Sequence, residues 1–153
     1  MKQSRPATTS PGDKDFVVGI IQLANLFTRR LAPLFQAASI TPQQWGVLTA
    51  LSDQEKPATL AGLGRALLVS KQNMTGMIAR LEELSLVSRS DDPNDLRSAR
   101  VQLTRRGRQL IERLTPDYEQ WLSDAVEDLE PAERRALVAA VGHLLEKLGS
   151  DER

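Results

Sequence analysis

The sequence contains no cysteine and only one histidine among its 153 residues. Without cysteine the chain has no disulfide, no thiolate metal site and no thiol redox switch, and a lone histidine is a poor basis for a metal centre. The chain also has no glycine-rich phosphate loop and no clustered pair of acids in a plausible cleft. We therefore expect no metal, no cofactor and no enzymatic activity.

Long apolar runs are missing as well. No stretch approaches the ~18 residues that a membrane span requires, and the first fifteen residues lack the hydrophobic segment of a secretory signal. We expect a cytoplasmic protein without a membrane partner. Aromatic residues make up only 4% of the chain, so the core must consist mainly of leucine, valine, isoleucine and alanine.

The charges are balanced overall but not locally. The formal net charge is +0, yet the segment from Arg65 to Arg108 holds nine basic and five acidic residues. From Glu112 onward acids outnumber bases. A basic middle and an acidic end suggest one surface for a polyanion and another surface for a different role.

Helices are predicted in both terminal parts of the chain. Residues 1–13 are rich in serine, threonine and proline and are expected to be a disordered tail. A long helix with a wide apolar stripe follows to Ala38. Residues 105–129 keep a helical period through Pro116, which leaves open one kinked helix or two, and Pro131 begins a last helix.

The middle of the chain is organised around residues 70–87, which we expect to form one amphipathic helix. Its apolar face consists of Met74, Met77, Ile78, Leu81 and Leu84. A short helix capped by Thr59 precedes it, so the pair predicts a helix-turn-helix. Residues 88–90 and 100–103 read as two strands around turn chemistry, which is a wing. The predicted fold is mainly α with a small β-hairpin wing.

The second helix of such a pair can read DNA. Its N-terminus favours a phosphate, and short polar side chains can reach base edges. An ordinary capped surface helix would carry similar residues, with Ser70 as a cap and Asn73 facing solvent. The candidate contacts in the two helices are Arg65, Ser70, Lys71, Gln72, Asn73, Thr75, Gly76 and Arg80.

The wing adds two further candidates. Arg97 lies near the predicted tip, where an arginine can enter a narrow minor groove, and Asp95 could orient it through a charged hydrogen bond. The alternative is a plain turn capped by Asp95. Arg89, Arg100 and Arg105 could add backbone contacts or could simply keep the hairpin soluble.

Three stretches together resemble the MarR family of transcriptional regulators: TPQQWGVLTAL, TLAGLGRALLVSKQNMTGMIARLEELSLV and SRSDDPNDLRSARVQLTRRGRQL. The most specific part is a DPxDxR wing that closes on LTxxGR before a helix. The resemblance covers residues 15–148. The departures from the family pattern are Leu68 and Ser85 at positions where glycine is common, Leu96 in place of a second wing arginine, and Gly76 in place of a larger residue.

The resemblance implies a homodimer on a pseudo-palindromic operator. Residues 39–107 would form the DNA-binding region, and residues 14–38 and 108–153 the dimerisation region. The wide apolar stripes of the first and last helices agree with this, although both could pack within one chain.

The family also implies a repressor that a small phenolic or aromatic acid releases from DNA. Arg29, Arg30, Trp45 and Tyr118 could line the effector pocket, but they fit core or surface roles equally well, and Trp45 fits the core best. The competing hypothesis for the whole chain is a winged-helix module that binds protein without specific DNA binding. The near-zero net charge and Leu96 motivate it.

Overall fold

The computed structural model describes residues 12–92 and 95–149, with the side chains of residues 92 and 95–98 outside that description. The described chain is mostly helical with one small antiparallel sheet, as predicted. The elements in chain order are α1 (Asp13–Gln36), α2 (Pro42–Ser52), β1 (Ala58–Thr59), α3 (Leu60–Leu67), α4 (Lys71–Glu83), β2 (Val87–Asp92), β3 (Asp95–Leu103), α5 (Arg105–Ala125) and α6 (Pro131–Gly149).

The chain divides into two compact units, residues 1–42 and 43–153. In the first unit α1 begins at Asp13, inside the expected tail, while residues 1–11 of that tail lie outside the described residues. Pro33 lies within the last turn and does not end the helix early. The helix ends at Gln36, two residues before the predicted Ala38.

In the second unit the sheet has the order β1-β3-β2. Strand β1 was not predicted. Ala58 pairs with Val101 and Thr59 with Arg100. Two residues are too few for an alternating pattern, so only the partner strand identifies them as β-structure.

The core of this unit lies where the sheet meets α2, α3 and α4. Its fully buried side chains are aliphatic, as the scarcity of aromatic residues requires. They are Val47, Leu48, Leu63, Met74, Ile78, Leu81, Val87 and Val101. Burial of a leucine- or valine-sized side chain contributes ~1.5–3 kcal/mol, so this cluster provides the main stabilisation of the winged unit.

The wing strands are longer than predicted. The expected turn at residues 91–99 is largely β-structure, because Asp91 pairs with Ala99 and Asp92 with Asp95. The aspartates and Pro93 suggested turn chemistry over the whole segment, but the described strands extend into it, β2 as far as Asp92 and β3 from Asp95 onward.

Helix α5 runs without a break through Pro116, so one helix forms and the two-helix alternative is wrong. It ends at Ala125, whereas the periodic pattern had suggested Leu129. Helix α6 begins at Pro131 as predicted, and the Glu130 N–H donates to Glu133 Oε2 at 2.8 Å. Among the described residues no helix is both long and apolar enough to cross a membrane.

Three helices in the described part end on a non-glycine residue with a left-handed backbone: Ser39 (φ 56°), Leu68 (φ 52°) and Ser85 (φ 59°). Each reversal makes the same pair of backbone bonds. After α4, for example, the Ser85 N–H donates to Glu82 O at 2.8 Å and the Leu86 N–H to Leu81 O at 2.9 Å. This is the Schellman arrangement, in which glycine is usual because a Cβ is disfavoured.

Candidate nucleic-acid interface

The proposed reader helix α4 is capped as its sequence predicts. The Ser70 Oγ accepts a hydrogen bond from the Asn73 N–H at 3.3 Å, and the Thr59 Oγ1 accepts from the Gly62 N–H at 3.0 Å at the start of α3. These caps satisfy donors that the first turn of a helix leaves open. The role of Ser70 as a cap is therefore confirmed.

The turn between α3 and α4 is tight. The Val69 N–H donates to Gly64 O at 2.9 Å, and a Cβ at Gly64 would lie 2.9 Å from Val69 O. Gly64 therefore has no room for a side chain. It is small because the turn folds back on it. Leu68, in its left-handed conformation, completes the reversal.

Helix α4 has two chemically different sides. Met74, Ile78 and Leu81 are completely buried, and Met77 and Leu84 are half-buried, so the predicted apolar face is confirmed. The candidate contacts on the other side are all exposed, and so is Arg65 on α3. They are Ser70, Lys71, Gln72, Asn73, Thr75, Gly76 and Arg80.

Two of these residues have a defined local geometry. A Cβ at Gly76 would meet no atom within 4 Å, so the surface of the helix is open at that position. The Thr75 Oγ1 donates to Lys71 O at 2.8 Å. That bond uses the hydroxyl hydrogen, so in this conformation Thr75 can meet a base only as an acceptor or through its methyl group.

The helix is shorter than predicted. We expected it to reach Val87, because Leu84, Leu86 and Val87 continue an apolar pattern. Instead it ends at Glu83, the chain reverses at Ser85, and Val87 already begins strand β2. The cause is the left-handed backbone of Ser85, which occupies a position where glycine is common in the family.

Two consecutive glutamates at the end of α4 bind arginines. Glu83 Oε2 lies 2.9 Å from Arg80 Nη1 one turn earlier. Glu82 Oε2 lies 2.7 Å from Arg89 Nη2 and 2.8 Å from Arg89 Nε, across the junction between α4 and β2. The hydrogen bond from Arg89, reinforced by its charge, lowers the pKa of the Glu82 carboxyl below its ordinary value of 4.5.

The sequence did not identify Glu82 as part of this surface. Arg80 and Glu83 stand three residues apart, which is a recognisable helical pair. The Glu82–Arg89 pair is seven residues apart in the chain and depends on where α4 ends. It could be found only once the reversal at Ser85 was known.

The predicted wing contacts are placed only by their backbone. Asp95 begins β3 opposite Asp92, and Arg97 follows in the same strand. Their side chains lie outside the described residues, so the predicted orientation of Arg97 by Asp95 stays a prediction. Arg100, further along β3, donates from Nη1 to Pro57 O at 3.2 Å.

The four predicted effector residues fall in different settings. Trp45 is only 3% exposed, and its ring centroid lies 5.5 Å from that of Tyr118 in an edge-to-face contact. The expectation that Trp45 fits the core best is confirmed. Tyr118 is half-buried. Arg29 and Arg30 are exposed on α1, in the first unit.

Comparison with known proteins agrees with this architecture. The model of the MarR family matches residues 38–98. The chain is 34% identical to the transcriptional activatory protein BadR of Rhodopseudomonas palustris over 123 residues, 73% of this chain and 69% of BadR. It is 32% identical to the transcriptional repressor NicR of Pseudomonas putida over 154 residues, 97% of this chain and 93% of NicR.

A solved structure has the same fold. Sco3205, a MarR family transcriptional regulator from Streptomyces coelicolor crystallised in complex with DNA, superposes with a TM-score of 0.86 at 22% identity. The match covers 95% of this chain and 93% of Sco3205. The two proteins therefore share a fold.

Proposed function

Since the chain belongs to the MarR family of DNA-binding transcriptional regulators, we propose that it acts as a homodimer on a pseudo-palindromic operator. Helix α4 enters the major groove and Arg97 of the wing enters the minor groove. Residues 39–107 form the DNA-binding region, and residues 14–38 and 108–153 form the dimerisation region.

One observation carries the proposal for α4. Its first two turns present only short polar groups and one lysine outward, while the opposite side is locked into the core by Met74, Ile78 and Leu81. A rigid helix of this shape can approach base edges closely. Gln72, Asn73, Thr75 and Gly76 then face bases, while Arg65, Ser70, Lys71 and Arg80 face phosphates.

Apolar side chains on the terminal helices support the dimer. In α1 only Phe35 is buried, and in α6 no residue is. Large exposed apolar patches mark interaction surfaces, and a second copy supplies a cover of matching chemistry. The exposed large apolar side chains of these two helices are Phe16, Val17, Val18, Ile20, Ile21, Leu23, Leu26, Phe27, Leu137, Val138, Val141, Leu145 and Leu148.

We also propose that DNA binding represses transcription and that a small aromatic acid relieves this repression by releasing the protein from DNA. NicR, which matches nearly the whole chain, is a repressor, whereas BadR is an activatory protein. The half-buried Tyr118 beside Trp45 supplies an aromatic wall for such an acid. Arg29 and Arg30 are proposed as further contacts for the acid, on the basis of the sequence alone. A DNA-bound regulator of this type works in the cytoplasm.

Selection of DNA from a random library by the full chain tests the central proposal. The selected sites should be two-fold symmetric, with half-sites ~10 bp apart. Gel shifts on them should weaken steeply with salt. If no sequence is enriched and binding does not depend on salt, the chain is instead a winged-helix module for protein partners.

Two variants then assign the reading groups. Arg97→Ala should weaken operator binding and flatten its salt slope by about one unit. Gln72→Ala should relax the preference at one base pair more than it weakens overall affinity, and an equal loss on every sequence would remove Gln72 from the readers.

A reporter gene behind the selected operator distinguishes repression from activation. Quenching of tryptophan fluorescence by candidate aromatic acids tests the effector.

A further inference from the structure

The pair Glu82–Arg89 differs from the other ion pair of the interface. Arg80 and Glu83 join two points of one helix, and both side chains are open to solvent, with 49% and 66% of their areas exposed. Arg89 and Glu82 join α4 to β2 and are less exposed, at 35% and 38%. The pair therefore links the reader helix to the wing.

The geometry of this pair occupies only one edge of the Arg89 guanidinium. Both contacts, from Nε at 2.8 Å and from Nη2 at 2.7 Å, go to the same carboxylate oxygen, Glu82 Oε2. A guanidinium carries five N–H donors in a rigid plane. When one edge is fixed on a carboxylate, the Nη1 side keeps a fixed direction and can bind a second anion.

We propose that Arg89 is a further phosphate-contacting residue of the operator complex and that Glu82 is its positioning residue. This rests on the proposed function, since it assigns a new contact to the same DNA-binding surface. Arg89 stands at the beginning of the wing, immediately after the reader helix. It meets the backbone between the groove that α4 reads and the groove that the wing reads.

Preorganisation explains why an acidic residue belongs on a DNA-binding surface. A free arginine loses side-chain entropy when it orders on a phosphate. Arg89 is already ordered by Glu82, so less freedom is lost on binding. The carboxylate also repels DNA that is not correctly seated, and this favours the operator over random sequence.

Substitutions of Arg89 test its contact with phosphate. Arg89→Gln should reduce the salt slope on the selected operator by ~0.9 for each half-site, and so by ~1.8 for the proposed dimer. Between 50 and 200 mM salt this variant should lose about tenfold less affinity than the native chain, because two phosphate contacts of the dimer are removed. An unchanged slope would remove Arg89 from the complex.

Substitutions of Glu82 test its positioning role. Glu82→Gln makes the protein more positive, so a purely electrostatic view predicts tighter binding to every DNA. We expect the opposite on the operator, with roughly threefold weaker binding, while binding to random DNA stays equal or becomes tighter. Arg89→Lys keeps the charge but loses the planar fork, and it should reproduce this pattern. Tighter operator binding by Glu82→Gln would overturn the proposal.

Glu119→Gln is the matched control. Glu119 is exposed on α5, about four helical turns beyond the first residue of that helix, and the substitution changes the charge by the same amount. A double-mutant cycle between Glu82→Gln and Arg89→Lys should be non-additive, because each change breaks the same unit. If the native chain binds no operator, the proposed function fails. If Arg97→Ala acts and Arg89→Gln does not, only this inference fails.

Discussion

The hydroxyl of Thr104 donates a hydrogen bond to the carbonyl oxygen of Ser85 at 2.7 Å and so joins the start of α5 to the residue that ends α4. The same Oγ1 accepts the Gly107 N–H at 3.0 Å, and the Thr104 N–H donates to Leu86 O at 3.1 Å. One residue thus caps α5, closes the reversal after α4 and follows the last wing strand. The LTxxG pattern at residues 103–107 corresponds to this junction.

Two substitutions of Thr104 should distinguish the contribution of its hydroxyl group to stability from that of its methyl group. Thr104→Val removes the cap and the bond to Ser85, and we expect a loss of ~1–2 kcal/mol in the free energy of unfolding. Thr104→Ser keeps the hydroxyl and should lose clearly less. Urea denaturation of the two variants makes the comparison. Equal losses would mean that the methyl group, and not the hydrogen bonds, stabilises the junction.

Gly107 has no room for a side chain. A Cβ there would overlap the carbonyl group of Leu86, which is backbone and cannot swing away. We expect Gly107→Ala to destabilise the protein by ~2–3 kcal/mol through displacement of the α4–β2 junction. Gly46→Ala is the control, since a Cβ at Gly46 meets nothing within 4 Å. That change should stabilise α2 by up to ~1 kcal/mol.

Ser85 is strained in the native protein. Its φ of 59° costs a residue with a Cβ about 1 kcal/mol relative to glycine. Ser85→Gly should therefore raise the unfolding free energy by ~0.5–1 kcal/mol, as measured by thermal or urea unfolding. The same change at Ser88, in extended strand β2, should lower it. A stability loss at both positions would contradict the assigned strain.

The Glu82–Arg89 pair should make stability depend on pH in the acid range. Because the pair holds the folded-state pKa of Glu82 below 4.5, it stabilises the protein above that pH. The contribution disappears as the pH falls through the folded pKa and Glu82 takes up a proton. The stability difference between the native chain and Glu82→Gln should thus be small but present at pH 7 and shrink below about pH 4.5. A difference that grows in acid would refute this assignment.

A charge on α6 should prevent association. Val138 is 74% exposed, and in the proposed dimer it is covered by a second copy. Val138→Glu should shift the sedimentation of the protein toward the monomer and weaken operator binding, because two linked half-sites bind more tightly than one. Gln54→Glu, at an exposed position just after α2 and outside the proposed dimerisation region, should leave the dimer intact. A dimer that survives Val138→Glu would exclude Val138 from the interface.

The sequence predicted the features that local chemistry determines. The caps at Thr59, Ser70 and Thr104 act within three residues of themselves, so their spacing identifies them. The end of α4 was missed although a signal existed. The apolar pattern continues to Val87, but Ser85 at a glycine position carried the better information about the backbone.

Features that depend on distant partners were not accessible. Strand β1 exists because Ala58 meets Val101 on another strand, and its two residues have no pattern of their own. Glu82 meets Arg89 only because the chain reverses between them. The exposed face of α4 was predicted correctly, since every candidate residue on it is exposed. The ion pairs on this surface were not predicted in full, because helical periodicity does not show where α4 ends and therefore which side chains meet beyond it.

The uncovered apolar side chains of α1 and α6 have a consequence for the amount of protein in the cell. In the proposed dimer these side chains are covered, so the folded state would be stabilised by mass action and the unfolding temperature would rise with protein concentration. A regulator of this type becomes more fragile as it becomes scarce. Its abundance then sets both how many operators are occupied and how long each copy survives unfolding and proteolysis.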